Sequence, residues 1–106
     1  MENTTLGRTG INVSRISLGT WSFGGANVSS NNQPVGWAGQ SEEDSQLALQ
    51  KAHEVGINHW DTADVYGNGV SEEIIGSVWQ KISRENIFLA RKVGVDYGNY
   101  TYVYNP

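Results

Sequence analysis

No cysteine occurs in the 106 residues, which excludes disulfides, zinc–thiolate centres and thiol nucleophiles and fits a reducing compartment. Basic residues are also few. Seven Lys and Arg stand against 11 Asp and Glu, for a net charge of −4, so the chain lacks the cationic face with which nucleic-acid binders neutralise phosphates. No apolar run approaches the roughly 20 residues that span a bilayer. The opening MENTTLGRTG has no basic segment followed by an apolar one, so no secretory signal is read and a cytoplasmic location is expected. In that compartment the Asn-x-Ser/Thr matches at Asn3, Asn12, Asn27 and Asn99 are chance occurrences of a short motif.

What is abundant is glycine. Thirteen in so short a chain imply many turns or ligand-facing loops around a single domain, because the length suffices for one core and not for two. Period-2 alternation of Ile11 and Val13 against Asn12 and Ser14, with TTLG before the turn Arg8-Thr9-Gly10, predicts a hairpin over residues 3–18. Ile16–Gly19 reads as a separate strand. The stretch 24–40, GGANVSSNNQPVGWAGQ, shows no periodicity, and loops of that length inside a domain are usually functional or disordered.

Ser41 followed by Glu42, Glu43 and Asp44 predicts a helix start, and Gly56 its stop, with Leu47, Ala48, Ala52 and Val55 as the apolar positions. Ile57–Trp60 is a strand. A second helix is expected after Ser71, with Ile74, Ile75, Val78, Trp79 and Ile82 as its apolar stripe. Ile87–Ala90 is again a strand, and YGNYTYVYNP at the end carries no assignable element. The order hairpin, β, α, β, α, β predicts βαβ units and a parallel sheet with its site at the carboxyl ends of the strands.

Three strand ends then come together: Gly19-Thr20-Trp21, Asp61 with Tyr66 in the following loop, and Lys92. Such ends share one face of a parallel fold. Tyr is an inert acid near neutrality, with an ordinary pKa of about 10. A cation beside its hydroxyl stabilises the phenolate, and Lys92 is positioned to be that cation. Asp61 would hold the ammonium charged and aimed. The chemistry this suits is proton donation to a carbonyl oxygen as hydride arrives at carbon.

In order and spacing, GRTGINVSRISLGTW, GINHWDTADVYGNGVSEEIIG and IFLARKVG resemble the opening third of the aldo/keto reductases. The resemblance implies an α/β fold, part of a (βα)8 TIM barrel: an N-terminal hairpin plus about the first three strands and two helices. Residues 1–106 would then be the N-terminal portion of one such barrel domain, binding NADPH, with NADH also possible, and acting on a small-molecule carbonyl substrate. It carries catalysis to Asp61, Tyr66 and Lys92, cofactor contacts to Gly19, Thr20, Trp21 and Asp61, and substrate contacts to Trp21 and Tyr66. Two departures stand out. A family histidine at the end of the next strand and the phosphate-gripping residues of the last strands have no counterparts in the sequence. Arg91 stands where the family more often has a small residue such as Thr, and alternation sets it on the face opposite Lys92.

Other features are read structurally. His59 is expected in the barrel interior below the active layer as a hydrogen-bonded core residue, and His53 on a helix facing solvent. GNG at 67–69 mimics a dinucleotide loop, but Glu72 at the third glycine position repels a pyrophosphate. Trp37 either lines a pocket or anchors its loop. A full barrel takes about 250 residues, so the chain is expected to be a segment of a longer reductase. The alternative function is a non-catalytic partial barrel, a structural or interaction module that completes itself by self-association.

Overall fold

Thr4 and Val13 are partners across the antiparallel pair that opens the chain, formed by β1 (Asn3–Thr5) and β2 (Asn12–Ser14). The computed structural model describes residues 1–28, 34–96 and 99–104. Parts of the 24–40 loop and of the C-terminal run therefore lie outside the described residues. Gly10, at φ 72°, closes the turn in the left-handed region that suits a residue without a Cβ. Ser14 ties this hairpin to the body. Its N–H donates to Asn58 Oδ1 at 2.7 Å, and its Oγ accepts from the Asn58 N–H at 3.1 Å.

Next along the chain are β3 (Ser17–Gly19), the short β4 (Asn27–Val28) and β5 (Pro34–Val35), and helix α1 (Glu42–Glu54). Strand β6 (His59–Ala63), helix α2 (Val70–Ser77), β7 (Phe88–Asp96) and β8 (Asn99–Tyr104) complete the chain. β3, β6 and β7 pair in parallel as the alternation of strands and helices predicts. Together with the βα order this is the partial barrel expected.

Register decides which residues meet. Leu18, Trp60 and Leu89 form one row across the three strands, on the face covered by the helices. Trp60 is fully buried there, stacked on Trp79 at 5.8 Å and 10°, while its indole N–H donates to the Ile57 carbonyl at 2.9 Å. The adjacent rows, Ser17–His59–Phe88 and Gly19–Asp61–Ala90, belong to the other face by alternation.

Both helices form where expected, with local differences. The Ser41 hydroxyl accepts from the Asp44 N–H at 3.0 Å, and Gly56 comes after α1 at φ 88°. The buried side of α1 is Ser45, Leu49 and Ala52, not the Leu47-centred stripe: Leu47 is 55% exposed. A stripe through 45, 49 and 52 keeps the i, i+4, i+7 spacing, so the helical period is as expected and its phase is not. Helix α2 starts at Val70, one residue before Ser71, because Gly69 at φ 102° forms its cap and the Ser71 hydroxyl is engaged elsewhere. It ends at Ser77, where the Ser77 hydroxyl donates back to the Ile74 carbonyl at 2.6 Å and the chain tightens into a 3-10 turn. Of the predicted apolar positions, Ile74 and Ile75 are buried on the helix, Val78 and Ile82 are buried beyond its end, and Trp79 is partly buried.

Two expectations are corrected. The loop 24–40 contains a ladder, Asn27↔Val35 and Val28↔Pro34. The C-terminal run is not without an element, since β8 pairs antiparallel with β7 through Lys92↔Tyr104, Val93↔Val103, Val95↔Tyr100 and Asp96↔Asn99. Alternating Tyr, Thr and Val favour a strand, and the free edge of β7 offers it a partner. The sheet is thus four-stranded and mixed, in the order β3-β6-β7-β8. No helix among the described residues is long and apolar enough to cross a membrane.

The phase of α1 makes a direct prediction. Leu49→Ala should destabilise the fold by about 2–5 kcal/mol, whereas Leu47→Ala should stay within about 0.5 kcal/mol of the parent. Urea unfolding of the two variants checks this, and a larger loss from Leu47→Ala than from Leu49→Ala would place the helix in the other phase.

Candidate active site

The site grows from the carboxyl end of the parallel ladder. The register sets Gly19 beside Asp61 and Ala63 beside Lys92. A chain of hydroxyls fixes the Asp61 backbone: Thr20 Oγ1 donates to the Asp61 carbonyl at 2.8 Å, and Ser71 Oγ lies 2.9 Å from Thr20 Oγ1 and 3.0 Å from Thr62 Oγ1. The Thr20 proton is committed to the carbonyl and that of Ser71 to Thr20, so Thr62 donates to Ser71. Thr20, Thr62 and Ser71 are fully buried, and in that setting an unmet hydroxyl would cost about 1–3 kcal/mol. The network joins the ends of β3 and β6 to the first turn of α2.

On this frame Lys92 Nζ donates to Asp61 Oδ2 at 2.6 Å. Lys92 is 6% exposed, and its ammonium lies 5.1 Å from the centroid of the Tyr66 ring. Burial pulls the lysine pKa down. Hydrogen bonding and charge from Asp61 and Tyr66 outweigh it, and the group sits above its ordinary value. Lys92 therefore stays an ammonium through the neutral range. Asp61, Tyr66 and Lys92 are brought together as the residue pattern predicts.

Tyr66 is held by a crossing of two loops. The 3-10 turn Trp21–Gly24 after β3 meets the turn Tyr66–Gly69 after β6. A Cβ on Gly24 would fall 2.5 Å from the Gly67 nitrogen and 2.6 Å from the Tyr66 carbonyl carbon. Gly67 is at φ 64° and its own Cβ would strike the Gly24 backbone. The loops touch backbone to backbone, which only two glycines permit. Asp64 adds a tie, its N–H donating to the Lys92 carbonyl at 3.1 Å.

Aromatic rings continue outward from Tyr66. Trp21 stacks on it at 6.0 Å and 19°, and Trp37 meets Trp21 edge to face at 4.8 Å.

A Cβ on Gly19 would meet nothing within 4 Å, so the space beside Asp61 is open. Thr20 turns its hydroxyl inward to the Asp61 carbonyl. His59 has its Nδ1 2.5 Å from Ser17 Oγ, hydrogen-bonded as expected, but it is half-buried with that bond exposed and not a core residue. His53 is half-buried rather than solvent-facing, because it falls near the buried phase of α1. Arg91 points away from Lys92 and pairs with Glu72, Nε to Oε1 at 2.6 Å. Sequence reasoning missed Thr62, Ser71, Gly24 and Gly67. The glycines carried a signal, since two Gly-rich steps come after the two strand ends, but the crossing that uses them is tertiary. No group of three or more His, Asp or Glu among the described residues could hold a metal ion.

Comparison with known proteins agrees with this geometry. The profile of the aldo/keto reductase family matches residues 15–105. The chain is similar to the aldo-keto reductase YhdN of Bacillus subtilis (strain 168), 39% identical over 93% of the chain and 28% of the relative. It is 37% identical to the NADH-specific methylglyoxal reductase of Escherichia coli (strain K12), over 90% of the chain and 27% of that protein. A thermostable aldo-keto reductase crystallised with the inhibitor epalrestat superposes with a TM-score of 0.68 at 34% identity, covering 88% of this chain and 31% of that one. The chain thus spans less than a third of the length of these relatives.

The ion pair has a pH signature. With its pKa raised by folding, Lys92 contributes stability that is fully present below the unfolded value of about 10.4 and is lost as pH rises through the folded value. Unfolding free energies of the parent and of Lys92→Met should therefore converge between neutral pH and the far alkaline range. Parallel curves would show that the ammonium gains nothing from Asp61 and Tyr66.

Proposed function

The chain belongs to the aldo/keto reductase family, and from that premise we propose that the protein is a nicotinamide-dependent oxidoreductase reducing aldehydes or ketones to alcohols, with Tyr66 as general acid. The observation that carries this reading is the buried Lys92 ammonium, 2.6 Å from Asp61 and 5.1 Å from the Tyr66 ring centroid. A phenol is a useful acid only where the charge left behind is stabilised.

The roles derive from the atoms. Tyr66 gives its hydroxyl proton to the carbonyl oxygen. Lys92 stabilises the resulting phenolate, and in a partly dry site that attraction is far stronger than in water. Asp61 keeps the ammonium charged and limits its swing, since an unpaired buried cation would be costly. The hydroxyl chain from Thr62 through Ser71 and Thr20 fixes the carboxylate's backbone.

A reduced nicotinamide, when bound, supplies the hydride. The residues present fit its reacting end: Gly19 leaves open space beside a carboxylate that is about one-third exposed. Asp61, Gly19 and Trp21 would border it, while Thr20 would act through Asp61. NADPH is the cofactor the family resemblance favours, and the NADH specificity named for the Escherichia coli relative keeps NADH within the same reading.

Replacing Tyr66 by Phe removes the proton and keeps the ring. Carbonyl reduction by the protein should fall by about 10²–10⁴-fold in kcat/KM, with the dissociation constant for NADPH or NADH, read by quenching of nicotinamide fluorescence, held within about twofold. Reduction at the parent rate would reject the assigned acid. Absence of both nicotinamide binding and carbonyl reduction in the parent would favour the non-catalytic module instead.

A further inference from the structure

We propose that Trp37 is a specificity-determining residue that extends the Tyr66–Trp21 surface into a subsite for an aryl or other flat apolar group on the carbonyl substrate, a proposal that rests on the reductase reading above. Three observations converge on it. Trp21 and Trp37 are 45% and 52% exposed, yet their rings are mutually ordered, edge to face at 4.8 Å. Edge-to-face packing of this kind favours one mutual orientation of the two rings. Trp21 is in turn nearly parallel to the ring that carries the proton donor, 19° apart at 6.0 Å. The three rings therefore form one continuous aromatic surface that starts at the Tyr66 ring.

Trp37 is also held by its backbone. Val35 and Pro34 pair with Asn27 and Val28. Gly36, at φ 82°, packs so closely on the Gly25 carbonyl that any side chain there would clash. These contacts bind the segment before Trp37 to the segment after Gly24, the glycine already locked against Tyr66 and Gly67. Loop anchoring alone would bury the indole. Here the backbone is anchored without it, and half of the ring remains open next to Trp21.

The chemistry this surface recognises is a planar apolar substituent. Aromatic rings favour offset-stacked or edge-to-face neighbours, and a ligand that covers two half-exposed indoles removes their apolar area from water. A two- or three-carbon aldehyde reaching Tyr66 would leave Trp37 uncovered. Trp37 should therefore act on KM and on the ranking of substrates, leaving the proton transfer to Tyr66.

Two measurements test this on the parent protein, Trp37→Ala and Trp37→Phe. In the first, the kcat/KM ratio for 4-nitrobenzaldehyde over propanal should fall by about tenfold in Trp37→Ala, mainly through KM, and return in Trp37→Phe. In the second, calorimetric titration of cofactor-free protein with 4-nitrobenzyl alcohol should show affinity at least about fivefold weaker in Trp37→Ala and restored in Trp37→Phe. A ratio and an affinity unchanged in both variants would overturn the subsite. Loss of aryl-alcohol affinity in a protein that reduces neither aldehyde would uphold the subsite and reject the reductase chemistry, so the two failures are distinct.

Discussion

A lysine ammonium drawn out of water is the constraint around which the site is arranged. Its desolvation is unfavourable by several kcal/mol, and Lys92 tolerates it because Asp61 Oδ2 lies 2.6 Å away and the Tyr66 ring lies beside it. The two partners belong to neighbouring parallel strands and come from residues 31 positions apart. The pairing of Ala63 with Lys92 therefore has to hold. A slip of one residue would send Lys92 to the helix-covered face and Arg91 into its place. What keeps the register is the apolar row Leu18–Trp60–Leu89 on the opposite face, whose burial would be forfeited by the same slip. Core and site are thus two readings of one alternation.

The second constraint is where the loops go. Tyr66 reaches the ammonium because the turn that carries it lies backbone to backbone on the turn after β3, through Gly24 and Gly67. That contact transmits the position of Trp21 to Tyr66 without any side chain between them. The same device recurs one step outward, where Gly36 meets Gly25 and sets the segment that bears Trp37. Glycine abundance, which composition alone ties only to turns, is here the means by which successive loops approach closely enough to present their aromatic rings on one surface.

How much of this is legible in the sequence differs by the range of the interaction. The βα order, the Ser41 cap, the α2 stripe and the trio Asp61, Tyr66 and Lys92 derive from local spacing and strand-end logic, and the structure has them. The phase of α1 is hidden because Leu47 and Val55 are apolar and Ser45 is not. A hydroxyl that bonds the Ser41 carbonyl at 3.2 Å and accepts from Gln40 at 2.7 Å can be buried as readily as a methyl. Ser71 looks like a helix start for a similar reason: its preference for caps is local, and its role, bonding to Thr20 from 51 residues away, is not. The β8 pairing is invisible in the sequence because the strand's partner is an edge, and an edge exists only once the sheet has formed.

That last strand bears on the site more than its position suggests. Lys92 is the final partner of β6 in the parallel ladder and also the residue opposite Tyr104 in the antiparallel one. Its strand is therefore flanked by sheet on both sides, with the Lys92 carbonyl accepting from the Asp64 N–H on the β6 side, whereas the last residue of an edge strand would be free to fray. Immediately beyond, the register shifts between Val93 and Val95, and such an irregularity bends a strand and re-aims the residues after it. Straight pairing up to the ammonium and a bend after it mean that the residue needing the most exact placement lies in the last regular stretch of β7. In an all-parallel barrel the corresponding edge would be covered by another parallel strand. Here the antiparallel β8 covers that edge, so the strand that carries the lysine lies inside the sheet and not at its border.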